Sequence, residues 1–129
     1  MKLNLALAQL NTVLGDPAKN LEKHLALIEQ ARDGGADLII FPELSLTGYM
    51  LQDLVPTVAL HPDASDPIFN QLLEASRSID VMVGFVEEDL RNRFFIASAY
   101  LSDGKVQHVH HKVYLPTYGL FDAGRCFSA

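Results

Sequence analysis

One stretch constrains this chain more than any other. It is a short apolar run that stops at a proline, with a carboxylate directly after it: Asp37-Leu38-Ile39-Ile40-Phe41-Pro42-Glu43-Leu44-Ser45-Leu46-Thr47-Gly48-Tyr49. Residues 38–41 have the length of a buried parallel strand. Pro42 has no N–H to give a sheet ladder, so regular pairing should stop there. That places Glu43 just past the C-terminal end of a buried strand, where ligand sites form in open α/β sheets. Gly48 allows a turn that other residues resist. On this stretch alone Glu43 has two readings. It is a solvated or capping loop residue, as most glutamates are. Or it is a partly buried general base, whose pKa Phe41, Leu44 and Leu46 would raise.

The rest of the chain supplies the elements around it. Residues 3–9 alternate apolar with polar or small side chains and read as a first strand, not a signal peptide. Asp16 as N-cap and Pro17 at the first helical position start a helix. Leu21, Leu25, Ile28 and Ala31 form its buried stripe, and Gly34 and Gly35 end it. With residues 37–41 as the second strand, this is a β-α-β unit with parallel strands. Residues 50–66 carry prolines among bits of apolar sequence and read as a long, partly ordered loop. A second helix is expected over Pro67 to Ser78, capped by Asp66, with Ile68, Leu72 and Ala75 or Ile79 turned inward. Residues 81–86 form a third, buried strand, and Glu87-Glu88-Asp89 its solvated end. A turn at 91–93 leads to a fourth strand over 94–101. Asp103-Gly104 signals a hairpin. Residues 105–110 make a fifth strand, and the pleat directions of Val106 and Val109 call for a bulge. The order β-α-β-α-β-β-β predicts an α/β fold with a mixed sheet. Residues 9–15 hold the single glycine Gly15, so a flavodoxin-like or other nucleotide-binding module is disfavoured.

Composition removes several functions. With 129 residues the chain is one domain or part of one. A formal net charge of −6 gives no electrostatic case for nucleic acid or an anionic membrane surface. No apolar stretch approaches a membrane span. The single cysteine, Cys126, cannot form an internal disulfide, which fits a reducing compartment; a cytoplasmic location is expected. His108 and His110 would share a strand face, but nothing supplies a third ligand. No metal and no cofactor is expected.

A second stretch follows the fifth strand: His110-His111-Lys112-Val113-Tyr114-Leu115-Pro116-Thr117-Tyr118-Gly119-Leu120-Phe121-Asp122-Ala123-Gly124-Arg125-Cys126-Phe127. Taken alone, Lys112 reads as a solvated strand-end lysine. Taken with Phe41-Pro42-Glu43, the stretch resembles the nitrilase, or carbon–nitrogen hydrolase, superfamily. The resemblance runs along essentially the whole chain. It includes Ala8-Gln9 of the opening strand, the helix exit Gly34-Gly35-Ala36-Asp37, the block from Pro42 to Tyr49, Val83-Gly84 and the block from Lys112 to Pro116. Residues 112–127 look most similar to the glutaminase-type amidohydrolase domains of glutamine-dependent NAD synthetases and their free-standing relatives.

The resemblance implies a Glu–Lys–Cys triad. Glu43 matches the general base that takes the thiol proton. Lys112 matches the lysine that stabilises the oxyanion and the thiolate. The nucleophile of the family lies further downstream of the lysine than this sequence extends. Cys126 stands in a Gly-Arg-x-Phe segment where close relatives carry tyrosine, so it is read as an incidental thiol. Ala123 stands where close relatives place a second glutamate; Asp122 is adjacent. The family fold is a four-layer α-β-β-α sandwich, and this chain would supply its N-terminal half. The expectation is a truncated carbon–nitrogen hydrolase, inactive alone and prone to self-association or homo-oligomer formation. Completed, it would act on a small amide, nitrile or glutamine-like molecule. The alternative is a non-catalytic half-domain that binds a partner or a full-length relative.

Overall fold

Asp16 starts the first helix as its sequence position suggests. Its carboxylate accepts the Lys19 N–H at 3.1 Å, with Pro17 at the first position. Helix α1 spans Pro17–Asp33. It ends in a Schellman arrangement: Gly35 adopts φ +86°, its N–H reaches the Arg32 carbonyl, and the Ala36 N–H reaches that of Ala31, each at 3.0 Å. This exit feeds the chain straight into the second strand. The computed structural model describes residues 1–115 and 127–128.

Five strands form one mixed sheet in the order β1-β2-β3-β4-β5. They are β1 (Leu5–Leu7), β2 (Leu38–Ile40), β3 (Asp80–Glu88), β4 (Phe94–Ser102) and β5 (Lys105–His111). The first three run parallel, and β3, β4 and β5 are successively antiparallel. Asp103 and Gly104 both take positive φ, the two-residue turn expected between β4 and β5. The expected bulge is present. Tyr100 pairs with His108 but Leu101 pairs with Val106, so Gln107 is the extra residue.

Both long helices cover one face of the sheet. Helix α3 spans Pro67–Ala75, and Asp66 caps it by accepting the Ile68 and Phe69 N–H groups. Leu21 and Ile28 of α1 and Phe69, Leu72 and Leu73 of α3 pack on Ile39, Phe41, Val81, Val83, Phe85, Ala99 and Leu101. Leu72 and Ile79 are buried as expected, and Ile68 and Ala75 pack on the core partly buried; Phe69 and Leu73, not expected there, are buried with them. The helix also stops three residues short of the expected Ser78.

The partly ordered loop expected over residues 50–66 holds two short helical elements. A 3-10 turn (Gln52–Leu54) runs into a short helix α2 (Val55–Val58), with Pro56 in its first turn, where a missing N–H costs nothing. Leu51, Val55 and Val58 are buried and pack on Leu44, Val86 and Ile96 as a second apolar cluster. Leu60 then bonds alongside β3, its N–H to the Val86 carbonyl at 2.8 Å. Glu87 and Glu88 belong to β3. Glu87 is not a solvated strand end: its side chain is 12% exposed and faces His111 Nε2 at 2.9 Å.

The opposite face of the sheet carries Leu5, Leu7, Leu38, Ile40 and Met82 in register. Leu5 and Leu7 are 52% and 76% exposed. A contiguous apolar strip of this kind seeks cover. The 129-residue chain is therefore expected to self-associate, with a sedimentation coefficient that rises with concentration. The double variant Leu5→Lys, Leu7→Lys should weaken that dependence. A concentration-independent monomer in the unsubstituted chain would contradict the expectation.

Candidate active site

Glu43 and Lys112 come from strands that are not neighbours, since β3 and β4 lie between β2 and β5. They meet because the chain leaving β2 crosses over β3. Phe41 still pairs, its N–H on the Met82 carbonyl at 2.9 Å; at Pro42 pairing stops as expected. The chain then lies on Gly84. A Cβ there would stand 2.5 Å from the Pro42 carbonyl oxygen and 2.6 Å from the Leu44 nitrogen, closer than real Cβ contacts allow. Only a residue without a side chain admits this crossing. The Leu46 N–H then bonds the Gly84 carbonyl at 3.1 Å.

The turn itself is strained. Leu44, directly after Glu43, sits at φ +52°. A left-handed leucine costs about 1–3 kcal/mol and persists only where its surroundings hold it. Here they do: its side chain is 1% exposed within the second apolar cluster. From the α1 side, Asn20 donates to the Leu46 carbonyl at 2.9 Å and to the Val13 carbonyl at 2.8 Å. His24 and Ser45 are buried beneath the same turn.

Lys112 is set by the other end of the sheet. Its N–H bonds the Ile96 carbonyl at 2.8 Å, extending the β4–β5 ladder by one residue. The preceding His111 ring stacks on Phe95, centroids 4.0 Å apart, and is held by Glu87. Lys112 Nζ donates to Glu43 Oε1 at 2.7 Å. The pair lines a cavity of about 530 Å³ with Phe41, Ser98, His110 and Tyr114.

Both expected site residues are thus brought together, but Glu43 is less buried than its apolar neighbours suggested. Its side chain is 41% exposed and that of Lys112 30%. Phe41, Leu44 and Leu46 turn into the core and leave the carboxylate at the surface. His110 lines the cavity, and among the described residues no three metal-binding groups converge. Cys126, Ala123 and Asp122 lie outside the described residues, so no cysteine is among those described. Among the described residues no helix is long and apolar enough to cross a membrane.

The site residues that sequence reasoning did not single out are Asn20, His24 and Ser45, which support the Glu43 turn, and Gly84. Gly84 did carry a signal: a glycine inside an apolar strand marks a close approach of another backbone.

Comparison with known proteins gives this geometry a lineage. The carbon-nitrogen hydrolase family matches residues 4–125, nearly the whole chain. The chain belongs to the carbon–nitrogen hydrolase family. It is 35% identical over 128 residues to a glutamine-dependent NAD(+) synthetase of Thermotoga maritima, covering 98% of this chain and 22% of that protein. The structure of a glutamine-dependent NAD+ synthetase from Acinetobacter baumannii matches with a TM-score of 0.80 at 34% identity, covering 96% of this chain and 23% of the other. An amidase from Nesterenkonia sp. shares the fold with a TM-score of 0.81 at 23% identity, covering 98% and 47%. The chain therefore spans under a quarter of the synthetases and about half of the amidase.

Two outcomes test this description. Gly84→Ala should destabilise the protein by about 1–3 kcal/mol through overpacking against the Glu43 turn, read as a lower urea midpoint. An unchanged midpoint would mean the turn is not seated on β3. Burial holds His24 below the ordinary histidine pKa, partly opposed by its hydrogen bond to the Asn20 carbonyl. The unfolded chain then takes up the proton first. The effect is absent above about pH 6.5, and stability falls as pH drops below it towards the folded-state value. His24→Gln should flatten that part of the acid dependence of the thermal midpoint; identical pH profiles would contradict the burial.

Proposed function

We propose that this chain supplies the general base and the oxyanion-side lysine of an enzyme that hydrolyses a carboxamide, with glutamine as the first substrate to try. The observation that supports this most is the Glu43–Lys112 pair, 2.7 Å apart, over a cavity at the strand ends. An exposed pair of this kind is worth about 0–1 kcal/mol in stability. Fold stability therefore does not explain why two distant strands bring these charges together. The name shared by the relatives, glutamine-dependent NAD(+) synthetase, supports an amide nitrogen donor as substrate.

The chemistry needs a thiol that the described residues do not contain. Glu43 takes the proton of a cysteine supplied by the rest of the enzyme, and the thiolate adds to the amide carbon. The carbonyl oxygen becomes an oxyanion beside the Lys112 ammonium. As the C–N bond breaks, Glu43 returns the proton to the leaving nitrogen, and ammonia departs from a thioester. Glu43 then removes a proton from water, which attacks the thioester, and the acid and the thiol are released. On this reading the 129 residues alone turn nothing over.

The test uses the full-length protein that carries these residues. It should release ammonia from L-glutamine or another small primary carboxamide, and Glu43→Gln should lower kcat/KM by about 100-fold or more. The isolated 129 residues should release none. Wild-type turnover by Glu43→Gln, or turnover by the 129 residues alone, would overturn the proposal. The exposed Leu5–Leu7 strip favours a second reading, a non-catalytic half-domain that binds a full-length relative. Copurification with such a relative, without ammonia release by the complex, would favour it.

A further inference from the structure

Glu43 cannot hold itself in place. Among the described residues its carboxylate has one partner, Lys112, and over a third of the side chain is in solvent. Its position therefore depends on the backbone turn that carries it. Beneath that turn lies a chain of buried hydrogen bonds whose direction can be worked out from one end.

His24 is fully buried, and its ring stacks on Phe41 with centroids 4.2 Å apart. Its Nδ1 is 2.6 Å from the carbonyl oxygen of Asn20, one turn earlier in α1. A carbonyl oxygen only accepts, so Nδ1 carries the proton. In a neutral ring Nε2 is then an acceptor. The atom facing it, at 2.9 Å, is Ser45 Oγ, so the Ser45 hydroxyl donates to His24. Ser45 Oγ keeps its lone pairs free for the Gly84 N–H at 3.4 Å. The order is Gly84 N–H to Ser45, Ser45 O–H to His24, His24 Nδ1–H to Asn20. It runs from the β3 glycine under Glu43 to the body of α1, and every proton is used once.

A protonated ring would break this order. Nε2 would donate, and Ser45 would have to turn its hydroxyl to the Gly84 carbonyl, also 3.4 Å away. Ser45 Oγ would then have to accept both Nε2–H and the Gly84 N–H, and the Ser45–His24 bond would run in the opposite direction. Burial disfavours that charged form.

We propose that His24, as a neutral imidazole protonated on Nδ1, is a positioning residue for Glu43: it accepts the Ser45 hydroxyl and so fixes the Pro42–Leu46 turn that presents the carboxylate to Lys112. The inference rests on the reading of Glu43 as general base. His24 touches neither substrate nor the reacting atoms and acts through the backbone. A polar histidine on the buried stripe of a helix is thereby explained by the turn above it rather than by the helix.

The first arm of the test reads the ring directly. The full-length protein, labelled with 15N in its histidine rings, is examined by NMR at pH 7, with His24 assigned by its loss in His24→Gln. A pyrrole-type Nδ1 and a pyridine-type Nε2 are expected. A proton on Nε2, alone or with Nδ1, overturns the proposal, whatever the enzyme's activity.

The second arm is kinetic. His24→Leu should lower kcat for amide hydrolysis about tenfold or more while KM stays within about twofold. His24→Gln, whose Oε1 can reach the place of Nε2, should recover most of the loss. Equal losses in the two variants would assign the effect to packing and overturn the proposal, as would wild-type kcat in a folded His24→Leu. Should His24→Leu not fold, Ser45→Ala carries the same expectation, and wild-type kcat in Ser45→Ala overturns the proposal. Activity retained in Glu43→Gln would sink the reading of Glu43 while leaving the ring measurement intact, so the two failures are distinguishable.

Discussion

The site depends on the absence of one side chain. At Gly84 a single hydrogen faces the Pro42–Leu44 backbone, and a methyl group would overlap it. That close approach lets the chain leave β2, pass over β3 and bring a carboxylate towards a lysine at the end of β5. Without it Glu43 would stay above its own strand, three inter-strand spacings from the strand that leads to Lys112. The Ser45 and Leu46 hydrogen bonds to Gly84 then hold the crossing where the glycine allows it.

Magnitudes show which parts hold and which are held. The positive φ of Leu44 costs about 1–3 kcal/mol. Burying its side chain contributes about 1.5–3 kcal/mol, enough to offset the strain. The Glu43–Lys112 pair, one-third exposed, is worth about 0–1 kcal/mol and does not hold the turn together. The framework beneath does that work: the apolar cluster around Leu44, Asn20 on the Leu46 carbonyl and the buried His24–Ser45 contact. A weak charged pair on a strongly held turn is the arrangement expected where charge placement, not stability, is the purpose.

The sequence was most legible where a local rule acts alone. Asp16-Pro17 marked a helix start, Asp103-Gly104 a hairpin, and Pro42 the end of β2. Each involves one residue type whose backbone chemistry decides the outcome. Glu43 and Lys112 were legible through their blocks of neighbours, not through spacing. What stayed hidden was tertiary. Asn20 and His24 are polar residues on the buried face of α1, and only the Glu43 turn above them explains their burial. The apolar pattern of residues 50–60, interrupted by Pro56, was not legible locally, because Leu51, Val55 and Val58 pack on a cluster that includes Val86 of β3 and Ile96 of β4. Glu87 looked like part of a charge run until β5 brought His111 opposite it. The expected burial of Glu43 failed for a related reason. Apolar neighbours in sequence flanked it but turned to the other side of the backbone.

The central claim is that the crossing at Gly84 makes Glu43 and Lys112 work as one unit. A double-mutant cycle in the full-length protein tests it most directly, with Glu43→Gln, Lys112→Met and their combination compared by kcat/KM for ammonia release. Residues that act together lose their function together. The double variant should be no worse than the weaker single variant, within about threefold. Losses that multiply would mean the two groups act independently, and the account of a paired site would be wrong.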